Sequence, residues 1–400
     1  MRTIGDHERR ARLARRHGLA AQHRFADVEQ VADAIVALHA TDPASVFLSA
    51  RARLREPSIS AIEAALYEQR TLVRLLGMRR TMFIVPTVLA GVVQASSTRA
   101  LVPGERKRFA ALLEESGVAA DGTRWLRETE EATYAALVAR GEATAAELTE
   151  DVPALRARTP VAQGKAYASI QGVSTRVLFL LAAEGRIVRG RPLGSWTSTL
   201  YRWAPASSWL PAPMEELDTD AASAELVRRW LNAFGPGTLA DIKWWTGWTM
   251  GLVKRALAQL DTVEVALASG ASGLVLAEDA EPVGAPAPWV ALLPALDPAA
   301  MGWQERAWYL GEHRASCFDR SGNIGPTVWC DGRIVGGWAQ RKDTGEVVVR
   351  LLEDVGSEAA QAVADEAARV RDWVGDVRVT PRFRTPLERE LSEPRASSPS

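Results

Sequence analysis

Three apolar helical segments followed by a β-hairpin pattern occur three times within 400 residues, and this repetition constrains the fold more than any single motif. In the first copy, "VEQVADAIVALHA" places Val31, Ile35 and Leu38 at helical spacing and predicts a helix running to His39. "PASVFLSARARL" reads as a second helix with Asp42 as N-cap and Pro43 at its first position. A third, "SAIEAALYEQR", opens with Ser60 and Glu63 in capping-box spacing, and "TLVRLLGMRRTMFIVP" reads as two strands turning near Gly77.

The second copy runs through "EEATYAALVARG", "EATAAELTEDV" with Thr144 as N-cap, and "VSTRVLFLLAAEG". A Pro- and Gly-containing excursion precedes the last of these, and the arginine-rich hairpin "RIVRGRPLGSWTSTLYRW" closes the unit. In the third copy, "SAELVRRWLNAFG" and "GTLADIKWWTGW" lead to "TMGLVKRALAQL". There Leu252, Val253, Ala256, Leu257 and Leu260 form one stripe, with Lys254 and Arg255 facing away. "DTVEVALASGASGLVLAED" is its hairpin.

Helix, helix, helix, hairpin is the order of a winged helix. The expected fold is therefore α+β, with three tandem winged-helix domains followed by a C-terminal β-barrel-like domain. The expected boundaries are 1–110 (including a basic N-terminal helix), 111–212, 213–283 and 284–384. In the last domain "WVALLPAL" is a strand, and "TVWCDGRIVGGWAQ" carries Asp331–Gly332 between apolar runs, a strong hairpin signal. "RKDTGEVVVRLL" offers a second hairpin, "EAAQAVADEAARVRDWV" a helix and "VRVTP" a short strand. The Pro/Ser-containing tail, 385–400, is expected to be disordered.

Composition narrows the function classes. With 47% apolar and 24% charged residues, the chain has the profile of a globular protein with a large core. No apolar run approaches a membrane span, and the first residues carry charge and no apolar signal region, so a cytoplasmic protein without membrane partners is expected. Cys317 and Cys330 are too few for a disulfide framework, and no Cys/His spacing suggests a metal site. No cofactor motif is present; "GRPLGSW" lacks the lysine and context of a phosphate loop.

A net charge of −1 hides segregation. Residues 1–24 carry seven arginines against two acids, and residues 151–207 carry eight basic residues against two. This distribution fits either one polyanion-binding face or a set of solvated helix surfaces. A winged helix sets one helix in a major groove and its wing against the backbone. Arg79 and Arg80 in the first wing and Arg186, Arg189 and Arg191 in the second are therefore candidate phosphate contacts. His39, read from its own neighbourhood, is either a capping residue near a helix end or a polar group shown to a ligand.

The order of these units, with "LHATDPASVFLSARARL", "LLGMRRTMFIVP", "DIKWWTGWT" and "GPTVWCDGRIVGGW", resembles the bacterial AlkZ-like DNA glycosylases over about residues 10 to 380. The resemblance implies a monomeric protein gripping double-stranded DNA and hydrolysing the N-glycosidic bond of bulky or N-alkylated purines, including crosslinks made by genotoxins. A nucleoid-associated role in alkylation repair or self-resistance follows. The family's Gln-x-Gln or Gln-x-Asp water-handling motif falls on His39 and Thr41, with Asp42 adjacent. Catalytic roles are thus implied for His39, Thr41 and Asp42. DNA contacts are expected from Arg51, Arg53, Arg79, Arg80, Arg176, Arg186, Arg189, Arg191, Lys254, and the hairpin residues Arg320 and Asn323. The alternatives are a non-catalytic DNA-binding regulator or lesion sensor, and a winged-helix protein-interaction scaffold.

Overall fold

The computed structural model describes residues 1–161 and 169–393. It is a mixed α+β structure in two compact units, one of residues 1–62 and 227–400, the other of residues 63–226.

In the first unit, helix Asp6–Arg16 is followed by the short helix Val28–Ala34, capped by Asp27, whose carboxylate accepts from Gln30 N at 2.8 Å. This helix ends five residues before His39, earlier than its apolar spacing predicts. Val36 adopts φ +68, a left-handed conformation that breaks the helical path. Leu38–His39 then continues as a two-residue strand, burying side chains on both faces. Helix Pro43–Arg51 follows, its N-cap Asp42 and first residue Pro43 placed as the sequence predicts, and every one of its nine residues is buried. The third helix starts at Ile59, and Ser58, not Ser60, caps it: Ser58 Oγ accepts from Ala61 N. The cap belongs to the residue just before the first helical position, and the chain turns into the helix two residues earlier than the capping-box reading places it.

Three helices, Thr219–Phe234, Leu239–Thr246 and Met250–Leu257, then precede the hairpin Thr262–Leu267/Ser272–Leu276. The last two helices are short because each carries its own stop and start. Thr238 and Asp241 form a capping box, Gly247 ends the helix at φ +77, and Thr249 caps the next one. The stripe is as expected, with Val253 and Ala256 buried and Lys254 and Arg255 exposed. Thr3–Ile4 adds a parallel third strand to the hairpin.

The C-terminal strands run Val290–Leu293, Thr327–Cys330, Arg333–Gln340, Val347–Leu351 in an antiparallel meander. Asp331 and Gly332 both have positive φ, as a two-residue hairpin turn requires. The sheet is open and is not a closed barrel: its two edge strands do not pair, and helix Ser357–Val374 packs against both of them instead. Residues 377–381 form no strand; Val379 N donates to Gln340 Oε1 at 2.7 Å and the segment runs as a tether. The expected disordered tail is helical over Pro386–Ser392, because Leu387 and Leu391, one turn apart, bury themselves on strand Arg333–Gln340. Residues 394–400 lie outside the described residues.

In the second unit, helices Gly122–Arg140, Ala145–Asp151 and Ser174–Ala183 precede strands Ile187–Pro192 and Tyr201–Pro205. Thr144 caps as predicted, in a reciprocal box with Glu147. Phe109, Leu113, Leu126, Leu137, Leu148, Val177 and Leu181 form the core beneath them. Within this unit the strands lie in the order Met82–Pro86, Leu72–Leu76, Ile187–Pro192, Tyr201–Pro205. The two hairpins meet at a single register pair, Arg74 opposite Arg189. A small antiparallel pair, Arg158–Val161 with Ser169–Gly172, occupies the excursion. No helix of the described residues is long and apolar enough to cross a membrane.

Aromatic rings hold the middle of the first unit: Trp230, Phe234, Trp303, Trp308 and Tyr309 meet edge-to-face or stacked. His17 lies among them, fully buried, edge-on to Phe234, with Nε2 donating to Ala233 O at 3.2 Å. Burial, reinforced by the Arg53 charge, pushes its pKa down to about 3. Between that value and the unfolded 6.5, only the unfolded chain binds the proton. The His17 contribution is therefore complete above the unfolded value and is lost as pH falls, at up to about 1.4 kcal/mol per pH unit. Denaturant midpoints measured from about pH 7 to pH 5 should fall for the native chain, and fall less steeply for His17→Gln.

Candidate functional site

The turn from His39 to Asp42 connects an extended segment to a buried helix, and each of its polar residues is held differently. His39 closes the strand and is 9% exposed, while Thr41 is half-buried. Asp42 spends both carboxylate oxygens on backbone donors: Oδ1 accepts from Ala44 N at 3.1 Å, and Oδ2 from Arg382 N at 3.0 Å. Asp42 is thereby both the cap of the helix and a clamp on the segment at Arg382. Arg382 also brings its guanidinium to Thr41 O, at 3.5 Å, and is itself exposed. Sequence reasoning missed Arg382. Nothing local marks a partner 340 residues away.

Helix Pro43–Arg51 is fixed from below. Arg53, completely buried, makes two bonds to the Asp297 carboxylate at 2.7 and 2.8 Å and a third to Ser49 O. Asp297 also accepts from Ser49 Oγ at 2.6 Å and caps helix Pro298–Met301 through Ala299 N. Burial raises the Asp297 pKa, but the Arg53 charge and these hydrogen bonds outweigh it and hold the carboxyl below its ordinary range. Arg51 is buried against Glu366. Neither arginine is available to a phosphate, contrary to expectation. The charge of each is consumed inside the protein.

The basic N-terminal helix is similarly occupied. Arg2 and Arg12 share Glu8, Arg12 and Arg16 share Asp279, and Arg9 is buried over the Trp308 ring at 4.2 Å. Its positive charge is largely structural.

Other expected contacts fall into three groups. Lys254 and Arg320 are exposed, and Arg320 tops a loop organised by Asp319, whose carboxylate accepts from Ser321 N, Asn323 N and Asn323 Nδ2 at 2.8 Å each. Asn323 thus supports the loop instead of reaching outward. In the second unit, Arg79 and Arg80 stand exposed at a hairpin tip with φ +55 and +59, and Arg80 pairs with Glu105. Such left-handed backbone costs about 1–3 kcal/mol per residue and is found at functional sites. Arg176, Arg186, Arg189 and Arg191 are partly buried, stacked on Phe109, Tyr134, Trp203 and Tyr67 respectively. Arg186 also pairs with Glu131, and Arg191 with Glu63 and Glu68. Among the described residues no group of three His, Cys, Asp or Glu side chains could hold a metal ion.

A profile of the family described as DNA glycosylase AlkZ-like matches residues 32–373, a span that includes the His39–Asp42 turn and the helix it caps. The chain belongs to the AlkZ-like family. This AlkZ-like chain is 28% identical over 223 residues to the interstrand DNA cross-link repair glycosylase of Streptomyces sahachiroi. The match spans 52% of this chain and only 57% of that relative's length. The solved structure of Streptomyces sahachiroi DNA glycosylase AlkZ is similar with a TM-score of 0.73, covering 95% of this chain and 99% of that one. At 22% identity that is a likeness of fold.

The Arg53–Asp297 pair supports the candidate turn of this AlkZ-like protein and generates a prediction. Asp297→Asn leaves a buried guanidinium without its counter-charge and should cost about 3–5 kcal/mol. Arg320→Ala, at an exposed position, should stay within about 0.5 kcal/mol of the native chain. Chemical denaturation of both variants checks the contrast.

Proposed function

We propose that this AlkZ-like protein is a monofunctional glycosylase acting on double-stranded DNA. Its reaction is hydrolysis of the N-glycosidic bond of bulky or N-alkylated purines, interstrand crosslinks among them. The family match across the His39–Asp42 turn carries this reading. The named activity of the Streptomyces sahachiroi relative agrees with it. In finer detail, residues 1–110, 111–212 and 213–283 act as three winged-helix units and residues 284–384 as the C-terminal sheet domain, in a monomer that works in the nucleoid.

An N-alkylated purine is already cationic, so its C1′–N bond breaks with the electron pair going to the purine, ahead of attack by water. The site then needs to position a water against C1′ and receive its proton. His39 takes that role, and the Thr41 hydroxyl holds the water. Asp42 contributes rigidity to the turn. Lys254, Arg79, Arg80 and Arg320 are the exposed cations best placed to meet phosphates.

Duplex carrying N7-alkylguanine or N3-alkyladenine should yield alkali-labile abasic sites with the native protein. His39→Ala should slow single-turnover cleavage by about 10²–10⁴-fold while DNA binding persists. A protein that binds such duplexes yet makes no more abasic sites than His39→Ala on several lesions is a DNA-binding regulator or sensor instead. Lys254→Ala and Arg320→Ala should each lower the slope of log affinity against log salt by about one, uniformly across sequences.

A further inference from the structure

The segment from Val379 to Thr385 is pinned at three places. Val379 N donates to Gln340 Oε1 at 2.7 Å, and Arg382 N to Asp42 Oδ2 at 3.0 Å. Thr385 packs so closely on Gly325 that a Cβ there would lie 2.3 Å from its hydroxyl oxygen. Pro381 and Thr385 are buried, while Arg382 between them is exposed. The backbone of Arg382 is thus fixed to the His39–Asp42 turn, and its exposed side chain stands beside Thr41.

The charge of that side chain is not consumed inside the protein. Arg384, two residues on, makes two bonds to the Glu388 carboxylate at 2.7 and 3.2 Å. Arg51 and Arg53, at and beyond the far end of the helix that Asp42 caps, are buried against Glu366 and Asp297. Arg382 pairs with no carboxylate among the described residues: its guanidinium reaches the Thr41 carbonyl at 3.5 Å, the long limit of a hydrogen bond, and lies 5.8 Å from the Phe383 ring. A neutral carbonyl occupies one of its several donors, and an aromatic face attracts a cation without cancelling its charge.

The reaction makes that charge informative. An N-alkylated purine is cationic, and an oxocarbenium-like sugar develops as its C1′–N bond breaks. An uncompensated guanidinium on the same turn repels both. The charge suits the site when bound DNA neutralises it, and the groups that can do so are the phosphates on the damaged nucleotide's own sugar, a few bonds from C1′. A guanidinium fork takes a phosphate through two parallel bonds, which fixes orientation as well as distance.

We propose that Arg382 grips one of the two phosphates flanking the damaged nucleotide and thereby sets the position of its C1′ over the His39–Thr41 turn. This rests on the turn as the hydrolytic site. Arg382 is a positioning residue: it touches the DNA backbone and neither the leaving purine nor the water. Because Asp42 clamps the Arg382 amide, the grip on DNA and the head of helix Pro43–Arg51 move as one piece.

The test pairs a charge on the protein with a charge on the DNA. Duplexes carry 3-methyl-3-deazaadenine, a lesion analogue whose glycosidic bond is stable, and a neutral methylphosphonate replaces one flanking phosphate at a time. At one of the two flanking positions the replacement should weaken binding by the native protein about tenfold. Arg382→Gln keeps a donor for Thr41 O and removes the charge. It should lose about the same factor on the ordinary duplex and less than about twofold more from that methylphosphonate, a non-additivity that bracing of the turn alone does not produce. Its slope of log affinity against log salt should fall by about one. On N7-methylguanine duplex at saturating protein it should release abasic sites at least tenfold more slowly, with its melting temperature unchanged. Arg382→Ala repeats the cycle if Arg382→Gln fails to fold. No methylphosphonate loss in the native protein at either flanking position, equal losses in native and variant protein, or native affinity in Arg382→Gln would each overturn the proposal while leaving the native protein's cleavage in place. A non-additive cycle with a native protein that cleaves no lesion would instead overturn the hydrolytic reading of the turn and leave the phosphate grip standing.

Discussion

The buried contact between Arg53 and Asp297 is the constraint around which the first unit is organised. Ion pairs taken out of water lose hydration worth several kcal/mol per group, and their attraction recovers this only when geometry is good and the remaining donors are used. Here the carboxylate receives the guanidinium through two bonds, the Ser49 hydroxyl and the Ala299 amide, so little of its hydrogen-bonding capacity is wasted. The result is directional. Helix Pro43–Arg51 is held at one rotation and one height against residues 295–301, with Ser45 Oγ donating to Ala295 O as a second anchor. A hydrophobic contact of equal area would permit sliding. The turn at the head of this helix inherits its position from that lock.

Arginine does most of the electrostatic work in this protein, and its partners sort it into roles. Where the partner is a buried carboxylate, as for Arg51 and Arg53, the residue is part of the framework, and so is Arg12, itself buried against the half-buried Glu8. Where the partner is an aromatic face at the surface of a sheet, the guanidinium stays charged, planar and oriented, which suits recognition of planar or anionic groups. A count of positive charges along the chain does not distinguish these situations, so the strongly basic N-terminal segment proved to be an internal ion-pair network.

Local physics was legible in the sequence and long-range pairing was not. The caps at Asp42 and Thr144, the Asp331–Gly332 turn and the apolar stripe of helix Met250–Leu257 depend on residues within a turn of one another. The order of helices and hairpins follows from them. What failed involved distance. Arg53 looks like a surface charge until Asp297 is folded against it, and strand patterns do not say whether a sheet closes. The helix expected through His39 failed for another reason: Val31, Ile35 and Leu38 fit helical spacing, but burial on both faces of Leu38–His39 satisfies an extended segment equally well. The final helix was legible in Leu387 and Leu391 beneath a Pro/Ser-rich composition that pointed elsewhere. At the candidate turn the sequence located His39 and Thr41, and only the fold disclosed the Asp42–Arg382 bond.

That bond has a consequence in time. Asp42 is made early in synthesis, and its second partner, the amide of Arg382, is made 340 residues later. Helix Pro43–Arg51 likewise waits for Asp297 and Glu366. The turn therefore cannot take its final form on a growing chain while the segment that clamps it is still inside the ribosome. The architecture withholds the finished turn from every incomplete product, so that fragments lacking the C-terminal segment carry residues 39–42 without the Asp42–Arg382 bond.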